Sequence, residues 1–415
     1  MDIEPILYNY TTILMTEEGK RYDISNLIEN LGWEEPEKEL AARITFTAKN
    51  DKVSKSRLSS LAKPGCFVFL MYSYQGKNKK EAVRGKIEEW NPSAKLTADE
   101  MKIKAYDELR DLQESEDDIY YSSGIGTRSA ITQILDKWKI PLESYSGPDI
   151  THGKLRYCGQ KLGSVIVKIL DEAKKKGGGK AIIRAVKGKV KVMSYGENKT
   201  VYHFEETGNL ISISDKITLS GMVTRVKVLG EADDDDRRPL EATVDGDTKY
   251  GIRQKVYKRG NDESLEDAKK AAQEILDEKG KPEEEIKVQA PDMPDVRKGD
   301  LIHMKSSTVG TGYFHVLSIN HDCDSGKMTM TLEKTKKKKG SSNKNDKKNY
   351  SVGDTVNFHG GTYYVSSDAS SGYNGAAGKA TITYTNPGSA HPWHLEYINW
   401  EETHVYGWVD EGTFD

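Results

Sequence analysis

Cys158 follows His152 within the stretch THGKLRYCGQ, and a thiol near an imidazole is the residue pair of nucleophilic catalysis. A working pair also needs a third group to orient the ring, and the stretch offers none, so both residues read as structural. Two doublets of carboxylates, Glu88 with Glu89 and Glu205 with Glu206, are the types that acid–base chemistry uses. They fall on strands or strand ends, where neighbours point to opposite faces, and adjacent residues make poor partners there. HPWH, from His391 to His394, brings two imidazoles close without a third metal ligand, and zinc is not expected. YSSGIGT, before a helix beginning at Thr127, has glycines suited to a phosphate but lacks both the Lys-Ser/Thr of a P-loop and the full GxGxxG. It reads as a flexible lead into a helix capped by Thr127.

The acidic loop EADDDDRRP, Glu231 to Pro239, lacks the spaced oxygen ligands of a calcium loop and reads as a solvated tip. His303, His315 and His321 read as sheet or rim residues. No catalytic, cofactor or metal site is therefore expected, and the chain is not expected to be an enzyme. The last segment differs. Tyr363, Tyr364, Tyr373, Trp393, Tyr397, Tyr406 and Trp408 crowd into a short span. Trp408 is assigned to the core, while Tyr363, Tyr364, Tyr373, Trp393 and Tyr397 are the candidates for a surface that stacks on sugars or grips a peptide.

The elements that carry these groups follow from periodicity. Met328, Met330 and Leu332 alternate with Thr329, Thr331 and Glu333, the pattern of a strand with one buried and one wet face. This strand ends a three-strand stretch, KGDLIHMKS then GYFHVLSINHDCDSGKMTMTLEK. The same order occurs earlier. Gly65 matches Gly299; Phe67, Val68 and Phe69 match Leu301, Ile302 and Met304; Val83 to Trp90 matches Tyr313 to Ile319; and Met101, Ile103 and Ala105 match Met328, Met330 and Leu332. Loop length absorbs the difference in spacing.

The expected fold is α+β, mainly β. Residues 1–106 form a first small β-barrel module whose core draws on Ile13, Leu27, Trp33, Ile44, Phe46, Phe67, Phe69, Ile87 and Trp90. Residues 107–210 form an α/β insert, with helices from Thr127 and from Leu162 and a hairpin turning at Lys187 and Gly188. Residues 211–335 form a second β-barrel module with one helix, capped by Ser264 and ended by Gly280 and Pro282. Residues 336–349 form a Lys-rich flexible linker, and 350–415 a separate β-module.

Composition narrows the function. At 415 residues, several domains are expected. With 31% charged residues and a net charge of -3, nucleic-acid binding is not expected, and the lysines after Lys334 have no interleaved aromatics for it. Apolar runs such as CFVFLM stay far short of the ~18 residues of a membrane span. The start, MDIEPILYNY, lacks the basic flank and apolar core of a signal peptide. Three scattered cysteines suit a reducing compartment.

Two modules sharing a meander around an α/β insert, with GDLI and MTMTLE near the end, resemble the baseplate hub proteins of contractile phage tails and tailocins, the XkdQ (YqbQ) family. The likeness runs over about residues 1–335. GGTYYVSS, AGKATITYTNPGSAHPWHLEYIN and VYGWVDEGTF resemble the Src-homology-3-like domains of Gram-positive phage tail proteins and lysins. The resemblance implies a non-enzymatic adaptor. As a homotrimer, its two modules per chain present six similar units to a hexameric tail tube and three chains to a spike. It further implies the tape-measure end and other baseplate proteins as partners, the bacterial cytoplasm as the place of assembly, and the tail baseplate as the destination. The alternatives are a tail-associated peptidoglycan hydrolase or a cell-wall-binding protein targeted by the last module. The segments leave no block of ~120 residues for a hydrolase domain.

Overall fold

Five strands in the first part of the chain, β1 (Ile28–Glu35), β2 (Arg43–Lys49), β3 (Phe67–Tyr74), β4 (Lys77–Lys95) and β5 (Ala98–Tyr106), pair antiparallel in the order β1-β2-β5-β4-β3. Five later strands, β6 (Ser212–Thr218), β7 (Glu283–Pro291), β8 (Leu301–Ser306), β9 (Gly310–Asp322) and β10 (Lys327–Thr335), pair antiparallel in the order β6-β7-β10-β9-β8. The two sets have one topology. This computed structural model describes residues 8–335 and 350–414, apart from 75, 96–97, 207, 233–236, 261–262 and 388. The acidic tip at 233–236 and the linker at 336–349 lie outside the described residues.

The likeness extends to single hydrogen bonds. Gly65 and Gly299 have φ of 96° and 92°, the left-handed region open to glycine. The Gly65 N–H donates to the Ile87 carbonyl at 2.9 Å and Ile87 N–H to the Cys66 carbonyl at 2.8 Å. The Gly299 N–H donates to the Val316 carbonyl at 2.8 Å and Val316 N–H to the Asp300 carbonyl at 2.9 Å. Immediately after Ile87 and after Val316 the pairing shifts register, a bulge at the same place in both repeats. Ile44 and Ile286 face Ala105 and Leu332; one strand further out, Trp33 faces Ile44 and Asp215 faces Ile286. Trp33 and Asp215 are thus equivalent, and so, two residues on, are Glu35 and Ile217.

The mainly-β expectation holds, but the repeats are not two separate barrels. The second half of β9 pairs with β1, Ile319 to Glu35 through Asp322 to Gly32, and one sheet runs through both. Among the described residues no pairing closes either repeat on itself, because the strand edge that would do so is used between them. Tyr8–Met15 extends the sheet antiparallel to β3, and Tyr202–Glu205 extends it parallel to β8.

Within the first repeat Trp33, Ile44, Phe46 and Ile87 are buried as expected, whereas Trp90 and Leu27 only pack partly against that core. In two strands the buried face is the other one: Leu14 replaces Ile13, and Val68 with Leu70 replaces Phe67 and Phe69. Leu70, not Phe69, is the counterpart of Met304. Phe69 instead lies beneath the Arg84 guanidinium, at 4.8 Å, and that of Arg21, at 5.4 Å. Both strands are apolar on each face, so alternation does not report which side is inward.

Helices α1 (Thr127–Lys137) and α2 (Leu162–Ala173) share a core with the hairpin Ala181–Val186 and Lys189–Ser194. Thr127 is the first helical residue and does not cap α1. Its hydroxyl donates to the Ile150 carbonyl, 3.0 Å, and lies 2.8 Å from His152 Nε2. Helix α3 (Leu265–Lys279) begins as expected, with Ser264 Oγ accepting from Asp267 N–H at 3.1 Å.

Residues 338–415 form a second unit, distinct from 1–337. Its strands β11 (Thr355–Phe358), β12 (Gly361–Tyr364), β13 (Gly372–Gly375), β14 (Gly378–Thr385), β15 (Trp393–Tyr397) and β16 (Tyr406–Val409) follow the order β11-β14-β15-β16-β12-β13 around Val356, Phe358, Ile382, Leu395 and Val409.

Candidate functional site

The seam where β9 meets β1 is built from charges as well as strands. Glu35, at the end of β1, receives two hydrogen bonds from Arg297, each 2.8 Å, and one from the Lys298 N–H at 2.9 Å. Burial works to raise its pKa, but Arg297 outweighs that and holds it down to about 2. The Lys298 ammonium donates to the carbonyls of Pro36, Glu37 and Glu39 at 2.5, 3.1 and 2.8 Å. Opposite one another across the seam, Trp33 and His321 stack with centroids 3.9 Å apart, and the Arg297 guanidinium lies 5.0 Å from the Trp33 ring. His321 Nδ1 is 2.6 Å from Asp292, whose other oxygen accepts from the Tyr10 hydroxyl. Burial, with Cys323 and Asp292 nearby, pushes that hydroxyl's pKa far up. Every polar tie here crosses from the first repeat to the second or braces a residue that does. Asp300, just after Gly299, binds Arg184 of the insert at 3.1 Å, so the insert is fixed to the same turn.

The groups singled out for chemistry are dispersed. Cys158 is exposed, and the Asp118 carboxylate beside it raises its pKa, which disfavours the thiolate. His152 is buried against Thr127, with Nδ1 3.2 Å from a Glu172 carboxylate oxygen but without an aligned hydrogen bond to it. Glu88 binds Arg110 at 2.9 Å and Glu89 binds Lys104 at 2.8 Å; Glu205 binds Lys305 at 2.7 Å, and Glu206 accepts from the Ser307 N–H at 2.6 Å. At the start of α1, Arg128 N–H donates to Asp149 at 3.0 Å, so a carboxylate of the chain stands where YSSGIGT would lead a phosphate. His303 lies against His203, with their Nδ1 atoms 2.8 Å apart. Burial lowers the pKa of His315.

The aromatics of the last unit are brought together only in part. Tyr363, Tyr373 and Tyr397 line an open groove of about 460 Å³. Tyr364 stacks on His391 at 3.4 Å instead, and Trp393 packs edge-on against Tyr350 and Phe414. His391 is held by Asp410 at 2.5 Å and His394 by Thr383 at 2.5 Å, so HPWH braces the fold. Val365, Trp400, His404 and Tyr406 complete the groove; Trp400 and Tyr406 are 53% and 57% exposed. Of these, Tyr406 belongs to the crowded set and Trp400 lies within its span, three residues after Tyr397, but no periodicity marks either as a lining residue. Trp408, expected in the core, is partly exposed and meets His394 edge-on.

A family model described as YQBQ-like matches residues 31–334, from the strand that enters the seam to the end of β10. The chain belongs to the YqbQ-like family. The uncharacterized protein YqbQ of Bacillus subtilis (strain 168) is 23% identical over 273 residues, 65% of this chain and 81% of that protein. The tail protein from Neisseria meningitidis MC58 is similar in structure, with TM-score 0.56, 12% identity, and coverage of 79% of this chain and 97% of that one. The prophage MuSo2 43 kDa tail protein from Shewanella oneidensis gives TM-score 0.55, 12% identity, and coverage of 79% and 98%. At such identity these similarities establish a shared fold, that of phage tail proteins. The YqbQ-like match takes in both repeats and the insert, and it stops before the unit carrying the aromatic groove.

Proposed function

We propose that this chain is a structural protein of a contractile phage tail or tailocin: a baseplate hub that closes as a homotrimer and joins a hexameric tail tube to a trimeric spike. The carrying observation is the repeat of one five-strand topology, down to the glycine hydrogen bonds and the bulge, with the two copies joined edge to edge. Three such chains supply six like units, and closed symmetry accommodates six neighbours on one side and three on the other. The tape-measure end and other baseplate proteins are the remaining partners. The chain assembles in the bacterial cytoplasm and ends in the tail. Its proposed segments are 1–106, the insert 107–210, 211–335, the linker 336–349 and a Src-homology-3-like module, 350–415.

Sedimentation of the purified chain, followed by electron microscopy, tests this reading: a three-chain ring with six similar units is expected, and a monomer at all concentrations refutes it. The exposed rings of Tyr373, Trp400 and Tyr406 favour a second role for the last module, binding cell-wall sugar or a baseplate neighbour through the groove. Retention of the full chain on sacculi, lost in Trp400→Ala, separates the wall from the baseplate. A cleared band on a peptidoglycan zymogram would replace the adaptor reading with a hydrolase.

A further inference from the structure

The internal seam specifies a second seam between copies. In β9 the stretch after the bulge pairs with β10 on one edge and with β1 on the other. Its equivalent in the first repeat, Trp90 to Ser93 of β4, pairs with β5 on one edge, and among the described residues nothing pairs with the other. The equivalent of β1 is β6, which among the described residues pairs with β7 alone. One repeat therefore leaves open the donor edge that the other uses, and the other leaves open the acceptor edge.

We propose that β4 of one copy pairs antiparallel with β6 of a second copy of this chain, in the register Trp90 to Ile217, Asn91 to Lys216, Pro92 to Asp215 and Ser93 to Ser214. The register is copied from Ile319 to Glu35, Asn320 to Glu34, His321 to Trp33 and Asp322 to Gly32. This proposal rests on the ring reading above and names the surface that closes the ring.

Burial agrees with it. At the internal seam Ile319 and Glu35 are both buried. At the open edges Trp90 is only partly covered and Ile217 is 66% exposed. Brought opposite each other, their side chains share one face, and Ile217 closes over the Trp90 ring. Pro92 fits as well. The Cys323 N–H donates to the Leu31 carbonyl at 3.0 Å, so by alternation the backbone of His321 points at β1 and that of Pro92 at the open edge. A proline is tolerated there because its missing N–H takes nothing from the β4–β5 ladder. It leaves the second copy one hydrogen bond short. The contact is head-to-tail, since β4 and β6 are different surfaces, and it propagates until rotation brings the last copy back to the first.

The test uses the full chain with Asn91→Cys and Lys216→Cys in a Cys158→Ser background that removes the exposed native thiol. Asn91 and Lys216 fall at a non-hydrogen-bonded pair, where Cα atoms approach to about 4.5 Å, within reach of a disulfide. On oxidation the monomer band should be lost to linked species of two and three chains on a non-reducing gel. Asn91→Cys with Thr218→Cys, two residues out of register, should leave it in place. Ile217→Lys should abolish the oligomer while the circular dichroism spectrum is unchanged. An oligomer that forms without the in-register link, or links equally out of register, overturns the seam and leaves the ring reading standing. A chain that remains monomeric and unlinked up to its solubility limit removes both.

Discussion

Glu35 and Ile217 occupy the same place in two copies of one strand pattern, yet the first is buried in a bidentate ion pair and the second is 66% exposed. The strand is the same; its neighbour is not. At the internal seam a permanent partner from the same chain makes a buried charge sustainable, because Arg297 and the Lys298 N–H are delivered with it. At the open edge a strand must survive exposure to water, and it carries Ser212, Ser214, Asp215 and Lys216 among its isoleucines. Polar and charged edge residues are how sheets avoid indiscriminate pairing.

The widest separation between the two places is expected from truncating each. Glu35→Ala leaves the Arg297 guanidinium buried and unpaired and should cost about 3–5 kcal/mol. Ile217→Ala in the monomer should stay within about 0.5 kcal/mol. Urea unfolding of the two variants measures both, and equal losses would remove the contrast.

The pH dependence sharpens the same comparison. Glu35 has its pKa depressed to about 2, so its contribution is present above the ordinary glutamate range and is lost as pH falls from about 4.5 through about 2. Asp107, beside the turn into the insert, is the opposite case. Burial, partly offset by the Ala42 N–H, raises its pKa to about 8, so its contribution is full below about pH 4 and is lost as pH rises through about 8. Thermal melts should fall at both ends. Glu35→Gln should flatten only the acid limb and Asp107→Asn only the alkaline one.

The paired glycines give a smaller contrast. Both sit at positive φ, where a side chain costs about 1–2 kcal/mol. A Cβ on Gly65 meets the flexible carboxylate of Glu17 at 2.8 Å, whereas one on Gly299 meets Ile182 of the insert at 2.9 Å. Gly299→Ala should therefore lower the melting temperature more than Gly65→Ala. Ser264→Ala, remote from either seam, should cost about 1 kcal/mol from the lost cap of α3. It should leave assembly unaltered, which sets the baseline for the edge variants.

Some of this was legible in the chain and some was not. The alternation of Met328, Met330 and Leu332, and of Met101, Ile103 and Ala105, fixes a strand and its buried face, because a single polar/apolar boundary permits one register. Gly65 and Gly299 mark the turns for the same local reason: only glycine rests comfortably at their φ. Where both faces are apolar, as in ILM at 13–15 or FVFL at 67–70, the inward side is decided by what the sheet packs against. The groove around Tyr363, Tyr373 and Tyr397 likewise draws Trp400 and His404 from a loop whose path alone brings them near. Above all, an open strand edge looks the same in sequence as a covered one, since backbone hydrogen bonds carry no side-chain code. Local periodicity thus determined the repeated unit, and tertiary structure alone decided that β9 turns its edge to β1, while one edge of β6 and of the Trp90–Ser93 stretch of β4 has no strand partner among the described residues.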